Sequence, residues 1–107
     1  MNQKIDFEKL DWVEVTAGMR TKSFSLASRQ LRMVEFTTEF HEIDWCTTGH
    51  IGVVLNGSLE IEFDSKTMQY KTGDGIFILA GEDNKHKAKV LNGAATLILV
   101  EDAKVDE

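Results

Sequence analysis

Two Asn-Gly dipeptides, Asn56-Gly57 and Asn92-Gly93, each divide a pair of short β-patterned runs, and they restrict the possible folds more than any other feature. A two-residue type I′ turn needs positive φ at both central residues, which Asn and Gly tolerate best, so each dipeptide predicts a hairpin. Beyond the first, Leu59, Ile61 and Phe63 alternate with Glu60 and Glu62, the period of a strand with one buried face. The sequence contains no proline, so its eight glycines, helped by Asn, Asp, Ser and Thr, must make every turn. Further strand patterns run from Trp12 to Thr16, through Phe24 and Leu26, and from Leu31 to Phe36 after a turn near Ala27 to Arg29. Others cover Thr67 to Tyr70, Ile76 to Leu79, His86 to Leu91 and Ala95 to Val100. About eight or nine short strands with no helical periodicity predict an all-β sandwich or barrel.

At 107 residues the chain is expected to be one domain, 1–107, with an N-terminal arm over residues 1–11. Glu101 to Glu107 reads as a charged, solvated tail. The net charge of −6, with no lysine or arginine run, opposes binding to phosphate backbones, so nucleic acid is not an expected partner. No apolar run approaches the roughly 18 residues of a membrane span. Met1 to Glu8 lacks the apolar core of a signal peptide, so a cytoplasmic location is expected. The single cysteine rules out an internal disulfide and leaves its thiol to be explained otherwise.

The chemistry concentrates in His41 to His50, which holds two of the three histidines, the cysteine, Glu42 and Asp44. Residues two apart on a strand share a face, so Asp44, Cys46 and, on a continuous strand, His50 would point the same way. His86 on another strand is the candidate fourth member. Sulfur, imidazole and carboxylate donors suit Zn²⁺, Fe²⁺, Ni²⁺ or Mn²⁺ better than Mg²⁺ or Ca²⁺. A bland reading stands beside this one: a lone cysteine is often a small buried apolar residue, and a strand histidine is often simply hydrogen-bonded. Asp44 fits equally as a ligand, as a group orienting a histidine, or as a solvated carboxylate. His41 lies on the opposite parity from Cys46 and reads as surface or rim. Trp45 reads as a core or contact residue, and Lys85, Lys87 and Lys89 as a solvated strand face. Gly73-Asp-Gly75 is a turn with no helix after it, so it is not a phosphate cradle and no nucleotide cofactor is expected.

The ordered set Ile51-Gly-Val-Val-Leu-x-Gly57, Leu59-x-Ile-x-Phe63, Gly73-Asp-Gly75, Ile76-Phe-Ile-x-Ala-Gly81 and then His86 resembles the small single-domain cupins over about residues 30–101. The resemblance implies a double-stranded β-helix, or jelly-roll barrel, and a homodimer. In metal-binding cupins the first motif supplies two histidines and a glutamate. Register from Gly57 puts Asp44 and Cys46 in the histidine positions and His50 in the glutamate position. In the second motif Asn84 occupies the histidine position, with His86 two residues beyond it. Every standard ligand is therefore replaced, yet mostly by residues that also bind metals. Asp44-Trp-Cys-Thr-Thr-Gly-His50 also resembles a small-cupin subgroup with Asp-His-Trp-Cys followed by Gly-His, matching at Trp45, Cys46, Gly49 and His50.

Three functions fit these observations: a metal-dependent cupin acting on a small polar metabolite, a metal-free binding or sensing cupin, and a structural dimer with a degenerate pocket. The first makes Cys46, His50, His86 and Asp44 its metal ligands and a small molecule its partner.

Overall fold

Nine antiparallel strands form two sheets in the computed structural model, which describes residues 3–102. The strands are β1 (Val13–Thr16), β2 (Met19–Leu26), β3 (Arg29–Thr37), β4 (His50–Asn56), β5 (Ser58–Phe63), β6 (Thr67–Lys71), β7 (Gly75–Ile78), β8 (His86–Lys89) and β9 (Ala94–Asp102). The larger sheet has the order β1-β2-β3-β9-β4-β7 and the smaller β6-β5-β8. This is the expected jelly roll. Two single 3-10 turns, Phe7–Lys9 and Glu82–Asn84, are the helical elements among the described residues.

The core lies between the sheets, where the inward residues of each strand meet. Val34 and Phe36 on β3, Val54 on β4, Leu97 and Leu99 on β9, and Ile76 and Ile78 on β7 face Leu59 and Ile61 on β5. All are buried, at the spacing of two that a pleated strand requires. Phe40, just past β3, closes this core against Phe36 with ring centroids 4.7 Å apart.

The turn chemistry differs from the sequence expectation. Neither Asn-Gly dipeptide makes a hairpin: Asn56-Gly57 carries the chain from β4 in the larger sheet to β5 in the smaller, and Asn92-Gly93 carries it from β8 back to β9. Gly57 has φ +89°, and a Cβ there would lie 2.1 Å from the Ala94 carbonyl oxygen, so the crossover needs glycine for its conformation and for a close backbone approach. The type I′ signature falls instead on Ala27 and Ser28, with φ +50° and +63°, between paired Leu26 and Arg29. The β2–β3 register is set by eight cross-strand pairs, which outweigh the preference of two turn residues.

The first residue of the expected solvated tail is not solvated. Glu101 belongs to β9 and is 6% exposed. It continues the inward series Ala95, Leu97, Leu99, and the rest of the expected acidic tail, residues 103–107, lies outside the described residues.

Candidate metal centre

One end of the barrel brings together the starts of β4 and β8, the end of β9 and the beginning of β3. His50 is the first residue of β4 in the larger sheet, and His86 the first of β8 in the smaller. The segment between β3 and β4 is irregular rather than strand, so the parity argument for Asp44, Cys46 and His50 does not apply as expected. Cys46 is instead tied to β8 by an isolated bridge: its N–H donates to the His86 carbonyl at 2.8 Å and its carbonyl accepts from the His86 N–H at 3.0 Å. Glu42 extends that edge, its carboxylate accepting from the Ala88 N–H at 2.8 Å. A loop thus stands in for a strand beside β8 and presents the thiol inward.

The potential ligand atoms of Cys46, His50 and His86 lie within 4.8 Å of one another. Cys46 Sγ is 3.9 Å from His50 Nε2, and the two imidazoles meet edge to face with centroids 5.0 Å apart. The other ring nitrogen of each histidine is held from outside the cluster. His50 Nδ1 bonds the Glu101 carboxylate, and His86 Nδ1 donates to the Asn84 carbonyl at 2.9 Å. A carboxylate and a carbonyl oxygen only accept, so both Nδ1 atoms carry hydrogen and Nε2 faces the cluster. His86 Nε2 is buried with no hydrogen-bond partner. A desolvated, unpaired nitrogen costs about 1–3 kcal/mol unless something occupies its lone pair, and a metal ion does so.

Behind the histidine stands a second layer of charge. Glu101 is gripped through both oxygens by Arg32, at 2.6 Å from Nε and 3.0 Å from Nη2. Burial is the largest influence on Glu101 and would raise its pKa, yet the bonds from His50 and Arg32 bring it below the ordinary carboxylate range. Cys46 is drawn down to about 5, chiefly by its contact with His50, then by His86 and despite burial. Burial acts most strongly on His50 and against its charge, but Cys46 and Glu101 together hold it up at about 9. Without metal the pair is therefore thiolate and imidazolium between those values. Glu42 is raised, first by burial.

The centre opens into a cavity of about 850 Å³. Its walls are mostly apolar, including Phe36, Phe40, Leu59, Ile61 and Leu97, while Gln30, Thr48 and the ligand cluster make a polar end. Among the described residues, Arg32 is the only basic residue lining it apart from the histidines, and its guanidinium is already paired with Glu101.

Of the residues singled out from sequence, Cys46, His50 and His86 converge, whereas Asp44 is exposed at a bend outside the cluster. His41 is exposed, as expected of a rim residue, and lines a smaller surface pocket. Trp45 is half-buried beneath Lys87 and Lys85, whose ammonium groups lie 4.8 and 5.3 Å from its ring centroid. Those lysines are thus partly covered rather than fully solvated. Glu101, Arg32 and the inward role of Glu42 went unread in the sequence. Parity held the signal for two of them: Glu101 follows Leu97 and Leu99, and Arg32 precedes Val34 and Phe36, each at a spacing of two.

No protein-family model matches the sequence, and no curated protein matches it. Solved structures do. KdgF from Halomonas sp. superposes with TM-score 0.76 at 19% identity, over 99% of this chain and 97% of that one. An RmlC-like cupin from Shewanella frigidimarina gives 0.77 at 11%, over 99% and 95%. The polyketide cyclase RemF from Streptomyces resistomycificus gives 0.79 at 14%, over 97% and 81%. At such identities the likeness is one of fold, and it embraces nearly the whole barrel.

Proposed function

We propose, from the premise that this chain is a small cupin-fold barrel, that it binds one divalent transition metal ion and a small organic molecule beside it. Cys46, His50 and His86 are the ligands. The observation that carries this reading is the matched presentation of the two imidazoles, each with Nδ1 fixed by an acceptor and Nε2 turned to the thiol. A thiolate with two imidazoles favours Zn²⁺, with Fe²⁺ next, and leaves a coordination position for a ligand. A metal so held supplies Lewis-acid polarisation of a bound oxygen.

The remaining roles belong to the chain's own residues. Arg32 orients Glu101, Glu101 fixes the tautomer and plane of His50, and the Asn84 carbonyl does the same for His86. The apolar walls exclude water and accept a carbon skeleton. Because Arg32 is committed to Glu101, the described residues of the cavity offer no spare guanidinium or ammonium for a phosphate, and the favoured ligand is an apolar-bodied molecule with one polar head. Glu42 is the lining carboxyl outside the Arg32–Glu101 pair, and burial keeps it suited to exchange a proton with that ligand. Neighbours of this fold include a polyketide cyclase, but fold alone does not carry a reaction across.

Elemental analysis of untagged protein purified without chelator tests the reading. One metal per chain is expected in the native protein and none in Cys46→Ser or His86→Ala, while Glu101→Gln should retain the stoichiometry with affinity lowered roughly 10–100-fold. Failure of the native protein to take up Zn²⁺ or Fe²⁺ under reducing conditions, or full occupancy in both ligand variants, would reject it.

A further inference from the structure

Cys46, His50 and Glu101 stand in series. Cys46 Sγ lies 3.9 Å from His50 Nε2, His50 Nδ1 bonds the Glu101 carboxylate, and Arg32 fastens that carboxylate through both oxygens. A nucleophile, a base, and a group that fixes the tautomer of the base are the parts of a covalent catalyst, recognised by geometry rather than by sequence position. Because Nδ1 gives its hydrogen to Glu101, the Nε2 lone pair is turned to the thiol and can take its proton. The three residues come from a loop, the start of β4 and the end of β9, so no local motif announces them.

The surroundings complete the arrangement. Cys46 is half-buried and lines the cavity of about 850 Å³, so its sulfur is reached from inside the barrel. Thr48, also in the lining, turns both its backbone N–H and its hydroxyl to Cys46, which places two donors where the oxygen of an attacked carbonyl gathers charge. His86 is 3% exposed and brings its unpartnered Nε2 into the same cluster. Its Nδ1 hydrogen is committed to the Asn84 carbonyl, so Nε2 is an acceptor, suited to hold a water beside the sulfur.

We propose that the metal-free chain is an acyl-transfer catalyst for uncharged esters or thioesters with an apolar acyl chain. Cys46 is the nucleophile, His50 the general base and acid, and Glu101 a positioning residue. The inference goes beyond the metal-binding reading and does not rest on it. Sγ bonds to the acyl carbon while His50 Nε2 holds the thiol proton. Collapse of the tetrahedral adduct breaks the bond to the leaving oxygen or sulfur, which takes that proton from Nε2. Water held by His86 Nε2 then attacks the Cys46 thioester; its hydroxyl joins the acyl carbon, its proton passes through His50 Nε2 to the sulfur, and the carboxylic acid leaves. The apolar walls take the acyl chain. A metal ion bound to the same sulfur and imidazoles would block the nucleophile and the base together.

The full chain, stripped of metal by a chelator and kept reduced with a phosphine, tests the proposal when mixed with p-nitrophenyl hexanoate. The expected result is a burst of one nitrophenolate per chain, one hexanoyl group on Cys46 by intact mass and peptide mapping, and slower turnover after it. Cys46→Ala should lose burst and adduct. Glu101→Gln should slow the burst at least roughly tenfold with its amplitude kept, and Glu101→Asp should recover part of the rate. His86→Ala should keep the burst and lose the turnover. A native protein without the burst, an adduct that is never released, hexanoyl groups on lysines with Cys46 unmodified, or a Glu101→Gln variant as fast as the native protein would overturn the assignment. One equivalent of Zn²⁺ should abolish the burst; a burst that persists beside bound Zn²⁺ would uphold the acyl transfer and remove Cys46 and His50 from the metal centre.

Discussion

Glu101 shows how one residue can be misread by composition and correctly placed by parity. It opens the charged run to Glu107, but its inward neighbours are Leu97 and Leu99, and the strand carries it into the barrel to meet His50 and Arg32. Cys46 and His50 were legible as candidates because few other residue types bind soft metals; their outer partners were not, since glutamate and arginine on a strand are ordinarily solvated. The paired charges make the metal-free protein respond to pH in a specific way. Cys46 has a folded pKa of about 5 against an ordinary 9.0, so it adds stability that is complete above 9.0 and is lost as pH falls through about 5. His50, at about 9 against 6.5, adds stability that is complete below 6.5 and is lost as pH rises through about 9. The two slopes cancel from 6.5 to 9, so this pair contributes a rise between about 5 and 6.5, while His86, raised against its burial by Cys46 and the Asn84 carbonyl, adds stability that declines as pH rises above 6.5. Chemical denaturation of the metal-free protein over this range should show that shape. Cys46→Ser should lose the rise and decline above 6.5, because His50 then keeps only Glu101 to hold its proton; an unchanged profile in the variant would refute the coupling.

The elements were read from sequence with fair accuracy because each strand carries its own alternation, and the nine strands fall within the expected eight or nine. Connections were harder to read. Asn-Gly signals a local conformation, but whether the next strand pairs with the last or crosses to another sheet is decided by non-local packing. Ala27-Ser28 illustrates the reverse case, a hairpin turn without hairpin residues. Two non-glycine residues held at positive φ each cost on the order of 1 kcal/mol. The double change Ala27→Asn with Ser28→Gly matches the backbone already present and is expected to stabilise the fold by about 1 kcal/mol in urea denaturation. A loss of stability would mean that those side chains do something the turn geometry does not reveal.

At the scale of the molecule, the centre joins two layers: His50 belongs to one sheet, His86 to the other, and Cys46 is stitched to the second by backbone bonds. The resemblance to cupins gave this architecture from an ordered series of motifs, and the jelly roll carries it. The apolar outer face of the larger sheet, where Ile51, Phe77 and Val100 are exposed, was not read from sequence, because an apolar run such as Leu97 to Val100 declares burial without saying which cover lies on each side. The crossovers that join the sheets bear on how the protein ages in storage. Asparagine before glycine deamidates when the following backbone nitrogen attacks its side-chain carbonyl carbon and expels ammonia, forming a cyclic imide that water reopens largely to isoaspartate. At the first crossover that nitrogen is restrained, since Gly57 N–H donates to Thr72 Oγ1 at 3.0 Å. A Cβ built on Gly93, by contrast, would meet only open space. Peptide mapping of samples aged at mildly alkaline pH should therefore find isoaspartate at Asn92 well before Asn56, and the opposite order would contradict the restraint. The seam between the layers thus has one durable link and one that keeps time.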